Sequence, residues 1–421
     1  MHRTPPTRLR VLIWATHLQA DILALSSFLD TEPDIELLIV TVEIDAFLSD
    51  SFAKVRPLRC PILDRADPTL RARLDEFHAD VAVADNHLPP RGAAPRLAYI
   101  FHGHGWKDRG KVDLWTLFHG VEQLTGADPR KANPNFRALC YGVPDRDWRL
   151  HEWGLHPDCL RITGKAFSDL LLAPPYTRED LAPNYAIDVL HRKTILFCIT
   201  WHYGGLFALL AGWRAAFERL WKRQSPRARD FAFVEQLARE LGAMGANLLI
   251  CMHERRRFQA DFVAELERII RPFNHVRMKF KDEHPDNLAD LVVADAMISN
   301  YSSYLTHYYL LGRPAIHIRP VTDENMRFRY AMMALGHLVF RRTSAERGAW
   351  MLSLNDTGGP IVDTAEQAVA EIRRALAEPS SGREPTRAWL ERHLFGANGH
   401  SAERIKSELV ALCAPTDKAS V

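Results

Sequence analysis

The chain of 421 residues lacks paired cysteines and any strong excess of charge. Its six cysteines are scattered without a C-x-x-C pair, which argues against a disulfide scaffold and a zinc knuckle and favours a reducing compartment. The formal net charge of +2 excludes a strongly basic nucleic-acid binder and an acidic disordered chain. The first apolar run, 9–15, stops at a polar Thr-His pair, so we expect no signal peptide.

Long hydrophobic runs are also scarce. One stretch, 194–213, carries no charged side chain and is long enough to cross a bilayer. A histidine and a Gly-Gly pair lie at its centre, which favours a strand, a turn and the start of a helix over a membrane span. A basic amphipathic stretch, 212–229, follows. It fits either a peripheral contact with an anionic membrane surface or a helix whose basic face is solvated.

Short β-branched runs alternate with helical stretches, which predicts an α/β fold with mostly parallel sheets. The predicted strands are 10–15, 35–42, 80–85, 96–102, 193–200, 246–253, 275–280, 295–300 and, closing the set, 313–318. The predicted helices are 21–30, 71–80, 233–245, 262–270 and 287–294.

A segment rich in proline and charge divides the pattern into two halves. We therefore expect two doubly wound, Rossmann-like domains facing a central cleft. The predicted boundaries are 1–170 for an acceptor-side domain, 171–192 for a linker, 193–405 for a nucleotide-donor domain and 406–421 for a helix end and tail.

Ligands of open α/β sheets bind beyond the carboxyl ends of the strands, so residues that follow strands are candidate site residues. His102 lies at the tip of the strand 96–102 and precedes Gly103, which allows close backbone approach; Lys107 supplies a nearby positive charge. An imidazole at this point is a candidate base at neutral pH. A structural turn histidine, or a metal pair formed with His104, are the alternatives.

Two later strand ends carry further candidates. His253 ends the strand 246–253 and Arg255 follows it; a histidine beside arginines at a strand end suits an anionic group such as phosphate. Ser302 and Ser303 follow the strand 295–300, where hydroxyls and backbone N–H groups favour an anion. Plain helix capping by serine is the alternative.

Six segments resemble, in the same order, elements of the CDP-glycerol glycerophosphotransferase family, the teichoic-acid primases and polymerases. His102, Gly103 and Lys107 match the element W-H-G-T-P-L-K, Thr200 matches K-x-I-L-Y-x-P-T-W-R, and His253 matches the histidine-proline element. The segments are 98–110, 162–172, 193–202, 251–254, 294–316 and 395–405, within about residues 80–405.

This resemblance implies a GT-B fold and transfer of a phosphoalcohol group from a CDP-activated donor to a hydroxyl, with release of CMP. The acceptor would be lipid-linked or a polymer, and the enzyme cytoplasmic, on the inner face of the membrane if 212–229 makes the peripheral contact. His102 would be the base and His253 would stabilise charge on the phosphates. We expect no nucleic-acid partner, no essential metal and no essential cofactor. The implied donor- and phosphate-binding residues are Gly103, Lys107, Thr200, Arg255, Asn300, Tyr301, Ser302 and Ser303.

The segments also depart from the family pattern. Asn300 stands where the family has aspartate before its Tyr-Ser-Ser, and His307 replaces a second aspartate. Glu254 replaces the proline that follows the second histidine. Two alternatives therefore stay open: a GT-B glycosyltransferase or epimerase that uses a UDP-sugar, and a non-catalytic nucleotide-binding member.

Overall fold

A computed structural model describes most of the chain. The described residues are 8–101, 106, 114–198, 226–255, 258, 260–300, 302–318, 352–353 and 355–414, with the backbone alone at 226–229. They fall into two compact units. The first comprises the described residues of 8–101, 114–175 and 391–414, and the second those of 106 and 176–390.

The described residues form parallel strands interleaved with helices. The strands are β1 Leu9–Trp14, β2 Ile35–Thr41, β3 Ile62–Asp64, β4 Val81–Ala84, β5 Leu97–Ile100, β6 Phe136–Cys140, β7 Leu160–Ile162, β8 Thr194–Cys198, β9 Asn247–Met252, β10 Val276–Phe280, β11 Ala296–Ser299, β12 Ala315–Ile318 and β13 Ile361–Val362. The helices are α1 Ala20–Leu29, α2 Ile44–Ser49, α3 Ser51–Val55, α4 Leu70–Phe77, α5 Leu114–Thr125, α6 Val143–His151, α7 Phe167–Leu172, α8 Arg178–Leu181, α9 Pro226–Ala243, α10 Ala260–Ile270, α11 Asn287–Val293, α12 Tyr304–Tyr309, α13 Ala365–Ala377, α14 Arg383–His393 and α15 Ser401–Cys413.

The first unit is built on a parallel sheet that has seven strands among the described residues, in the order β3-β2-β1-β4-β5-β6-β7. Its central strands are apolar runs buried on both faces, as a sheet covered by helices on both sides requires. The register pairs Leu9 with Ile35 in β2 and Val11 with Val81 in β4. The strand order reverses between β1 and β4, which makes that point the switch point of the sheet.

The second unit repeats the arrangement. Its described strands form a parallel sheet of six, in the order β10-β9-β8-β11-β12-β13. The order reverses between β8 and β11, where Ala296 pairs with Ile195. Apolar faces of α9, α10 and α13 pack on this sheet, and their buried residues form one continuous core. The prediction of an α/β protein with doubly wound parallel sheets is thus confirmed.

Four strands were not predicted from the sequence. The predicted set ended at 313–318, but β13 adds to the edge of the sheet, where Ile361 pairs with His317. The other three, β3, β6 and β7, extend the first sheet at its two ends. Strands β3, β7 and β13 have only two or three residues, which is too few for an alternating sequence pattern to reveal. Strand β6 has five residues and pairs with β5 and β7 on its two sides, so its length does not explain why it was missed. The correction enlarges both sheets and leaves the fold class unchanged.

The end of the second unit differs from the predicted range of 193–405. Helix α15 packs on α1 and β6 of the first unit. Asp169 accepts hydrogen bonds from the backbone N–H groups of Ser401 (3.1 Å) and Ala402 (2.8 Å), and Arg404 Nε donates to the carbonyl of Thr163 at 2.8 Å. The segments 162–172 and 395–405 therefore meet within the first unit, where these contacts hold the last helix.

The predicted linker is tied to the second unit from Tyr176 onward. The Tyr176 hydroxyl lies 2.9 Å from both Asp286 carboxylate oxygens, and Arg178 forms an ion pair with Asp295 at 2.8 Å. Burial raises the pKa of Asp295, but hydrogen bonds from Arg178 and from the Thr194 N–H outweigh burial and hold that pKa below its usual range. Asp295 is therefore a charged anchor between this segment and the start of β8.

The charge-free stretch 194–213 is described only at its start, which forms β8. Of the basic stretch, 212–225 lies outside the described residues and the rest begins α9. No helix in the described part of the chain is both long and apolar enough to cross a membrane.

Candidate functional site

The candidate site in the second unit lies at the carboxyl edge of its sheet, around the switch point. Strand β8 lies between β9 and β11, and all three run parallel. The residues that follow β9 and β11 therefore emerge at the same edge, with backbones about 10 Å apart across the intervening strand. His253 follows β9, and Asn300 and Ser302 follow β11.

The turn after β11 is compact and largely buried. Asn300 is 1% exposed and Ser302 is 7% exposed. The N–H of Ser302 donates to the carbonyl of Asn300 at 2.5 Å, and the Ser302 hydroxyl accepts from the N–H of Tyr304 at 3.3 Å. The Ser303 side chain makes no capping hydrogen bond to α12. Of the two serine hydroxyls, only that of Ser302 thus contributes to the helix start.

The two candidates after β9 differ in their surroundings. His253 is partly exposed at the strand end, next to the buried Glu254. Arg255 is engaged by carboxylates: its Nε pairs with Glu283 at 2.5 Å and its guanidinium with Glu267 at 3.2 Å. A phosphate at Arg255 would have to compete with both carboxylates, which weakens the case for Arg255 as a phosphate-binding residue.

Five of the candidates lie outside the described residues: His102, Gly103, Lys107, Thr200 and Tyr301. The segment before His102 is described. The Tyr141 hydroxyl lies between Asp21 Oδ2, at 2.9 Å, and the carbonyl oxygen of Phe101. A hydroxyl has one proton and cannot donate to both oxygens. Burial raises the pKa of Asp21 despite the nearby Lys165, and a protonated Asp21 would donate to Tyr141 and leave the Tyr141 proton for Phe101.

Sequence reasoning passed over Trp106, which belongs to the second unit and is fully buried there. Its ring contacts those of Tyr309, His317 and Trp389 at centroid distances of 6.3, 4.9 and 5.6 Å. The indoles of Trp106 and Trp389 both donate to the carbonyl oxygen of Asp356, at 2.9 and 3.1 Å. Burial lowers the pKa of His317 to about 3, so this imidazole is neutral at physiological pH. These contacts therefore hold Trp106 in place, and Trp106 is the residue directly before Lys107.

A buried polar network contacts β9 through Cys251. Asp290 is fully buried and pairs with Lys279 at 2.7 Å. The same carboxylate accepts from the Tyr185 hydroxyl at 2.7 Å and from Cys251 Sγ at 3.2 Å. Burial and the neighbouring Asp290 charge raise the pKa of the Cys251 thiol well above its usual range. Cys251 is thus an uncharged hydrogen-bond donor. In the sheet register it lies opposite Cys198, which connects the network to the end of β8.

Within the described ranges, no group of three or more His, Cys, Asp or Glu side chains is arranged to hold a metal ion.

Comparison with known proteins identifies the fold. No protein-family model and no curated protein matches the chain. Among solved structures, the wall teichoic acid polymerase TagF is similar, with a TM-score of 0.63 and 12% identity over 97% of this chain and 89% of that one. A TagF variant gives a TM-score of 0.64 at 11% identity, over 97% of this chain and 89% of that one. A UDP-N-acetylglucosamine 2-epimerase gives 0.51 at 13% identity, over 96% of both chains. The chain therefore has an α/β fold of the GT-B kind, as expected from the sequence.

Proposed function

We propose that the protein is a transferase that moves a phosphoalcohol group from a CDP-activated donor to a hydroxyl of a lipid-linked or polymer acceptor and releases CMP. The observation that carries the proposal is the switch point between β8 and β11, where the Asn300–Ser303 turn and His253 emerge at one sheet edge. The likeness in fold to TagF, one variant of which was soaked with CDPG, supports a nucleotide-activated donor.

The reaction needs a base for the acceptor hydroxyl and groups that stabilise the charge developing on the phosphates. We assign the base to His102 and the charge stabilisation to His253. The hydroxyls of Ser302 and Ser303, with their backbone N–H groups, would hold a phosphate. In this scheme the acceptor oxygen attacks the phosphorus of the phosphoalcohol group, the bond to the CMP oxygen breaks, and His102 takes the hydroxyl proton.

The test is a thermal-shift panel of the full chain with CMP, CDP, CDP-glycerol, CDP-ribitol, UMP and UDP-sugars. A ligand at a hundred times its Kd adds about 2.7 kcal/mol of stability, so binding raises the melting temperature measurably. We expect cytidine compounds to stabilise the protein and the double variant Ser302→Ala/Ser303→Ala to lose that response. Ser380→Ala/Ser381→Ala, at a serine pair in the 3₁₀ turn Pro379–Gly382, is the matched control.

The second candidate is a glycosyltransferase or epimerase that uses a UDP-sugar, favoured by the likeness in fold to the epimerase. The same panel separates the two. Stabilisation by uridine compounds alone would replace the CDP-alcohol with a UDP-sugar as donor. No response to any nucleotide, together with no CMP release from CDP-glycerol, would contradict both.

A further inference from the structure

The carboxyl edge of the first sheet carries a second group of polar side chains, which the sequence analysis did not single out. It consists of Thr16 and His17 after β1, Glu43 after β2, and Asp85 and His87 after β4; we call it the edge cluster. The Thr16 N–H donates to Asp85 Oδ1 at 2.7 Å, and the Thr16 hydroxyl lies 2.9 Å from His87 Nδ1. His17 Nδ1 lies 3.2 Å from Glu43 Oε2. The edge cluster therefore spans the switch point between β1 and β4.

The backbone around the edge cluster is held in an unfavourable conformation. Among the described residues, the non-glycine positions with positive φ are Ala20 (48°), Glu43 (59°), Asn86 (37°) and His78 (47°). The first three follow β1, β2 and β4, so they share this edge. Each costs on the order of 1 kcal/mol or more, and such residues concentrate at functional sites.

Two buried donors beside the edge cluster have no acceptor. Trp14 ends β1, and the guanidinium of Arg65 lies 5.0 Å from the centre of its ring. Among the described residues, neither Trp14 Nε1 nor Arg65 Nε has a hydrogen-bond partner, although another Arg65 nitrogen donates to the carbonyl of Ala15 at 2.5 Å. A buried N–H without a partner destabilises the protein, and an oxygen of a bound ligand would supply the missing acceptor.

The charge at this edge selects among ligands. Glu43 and Asp85 belong to the edge cluster, Asp64 ends β3, and Arg65 is the adjacent cation. Among these four described side chains, the three carboxylates outnumber the one arginine, so a phosphate would be repelled. Carboxylates, imidazoles and a threonine hydroxyl are suitable partners for the hydroxyl groups of an uncharged ligand.

We propose that the edge cluster binds the acceptor through an uncharged, polyhydroxylated end, such as a terminal sugar, and rejects an end that carries phosphate. The inference deepens the proposed function and rests on it for the identification of this ligand as the acceptor. Glu43 orients the His17 ring, and the pair contacts the ligand hydroxyls. The enzyme would accordingly start on a neutral glycan end in preference to extending a phosphate-terminated chain.

The test is ligand-observed NMR of the full chain with two probes, methyl β-D-glucopyranoside and sn-glycerol 3-phosphate. We expect saturable binding of the glycoside alone, weakened about tenfold or more in His17→Asn and Glu43→Gln. The first variant loses the ring nitrogen Nε2, and the second replaces one carboxylate acceptor with an amide donor; a tenfold loss corresponds to about 1.4 kcal/mol. The matched controls are His191→Asn and Asp188→Asn. These two residues form an exposed imidazole–carboxylate pair with 3.1 Å between His191 Nδ1 and Asp188 Oδ1, and both variants should bind the glycoside as the wild type does.

Glu43→Gly separates ligand contact from folding, because glycine suits the positive φ at this position. We expect it to keep the wild-type melting temperature and lose glycoside binding. The proposal is overturned if the wild type does not bind the glycoside, if Glu43→Gly binds it as tightly, or if the phosphate binds better. The nucleotide panel runs on the same samples: cytidine binding without glycoside binding refutes this inference alone, whereas glycoside binding without cytidine binding refutes the donor proposal and leaves the edge cluster as a polyol site.

Discussion

The burial of Trp106 can be tested directly by truncation. Trp106 is fully buried among aromatic rings, so Trp106→Ala removes the whole indole from a packed core. Substitutions of this kind cost about 3–5 kcal/mol. Trp106→Phe keeps most of the apolar contact and loses the hydrogen bond to Asp356, whose carbonyl retains the bond from Trp389; its cost should be about 1–2 kcal/mol.

Urea unfolding of the full chain, followed by circular dichroism, measures both changes. The matched control is Trp115→Ala, because Trp115 is 71% exposed and should cost less than about 1 kcal/mol. The variants at Trp106 should also weaken nucleotide binding, because the next residue, Lys107, is one of the proposed phosphate-binding residues. Equal unfolding midpoints for Trp106→Ala and Trp115→Ala would refute the reasoning.

Three further predictions concern stability. Lys279→Met removes the cation that pairs with the buried Asp290, so it should cost about 3–5 kcal/mol in chemical unfolding, and Lys279→Met/Asp290→Leu should recover part of that loss. The pKa of Asp295 is lowered in the folded state, so its contribution to stability is present above the unfolded pKa near 3.8 and is lost as the pH falls through the folded pKa. In thermal melts, Asp295→Asn should therefore be less stable than the wild type at pH 7 by about 1–3 kcal/mol and equally stable at strongly acid pH. At Gly359 an added Cβ would lie 1.8 Å from the carbonyl oxygen of Ala315 in the neighbouring strand, so Gly359→Ala should cost about 3 kcal/mol or more. At Gly126 an added Cβ meets no atom within 4 Å, so the control Gly126→Ala should cost only about 1–2 kcal/mol of backbone strain.

The fold class was accessible from the sequence because both sheets rely on buried β-branched strands. The run after Arg8 and the run after Asp34 are each long enough to indicate a buried strand, and as β1 and β2 each is paired on both sides within the sheet. The strand order was not accessible, since parallel neighbours such as β1 and β4 are distant in sequence and pair through nonlocal register. Strands β3, β7 and β13 were missed because they have two or three residues each and therefore bury few side chains.

The candidate site divides in a similar way. Placing His253 and Ser302 after strands required only strand recognition, and the structure has both at strand ends. Arg255 shows what local sequence omits, because its acidic partners lie 12 and 28 residues away. The edge cluster was missed because its members come from segments after three different strands, and each looks ordinary alone. Only the sheet order brings His17 and Glu43 into contact.

The buried positions of Asn300 and His307 bear on what their departure from the family pattern does. Asn300 is 1% exposed and His307 is 4% exposed. A carboxylate at either position would be a buried charge, which is expensive without a partner. Asparagine and histidine keep hydrogen-bond donors and acceptors at these positions, and they place no carboxylate at the edge where the proposed anionic donor would bind.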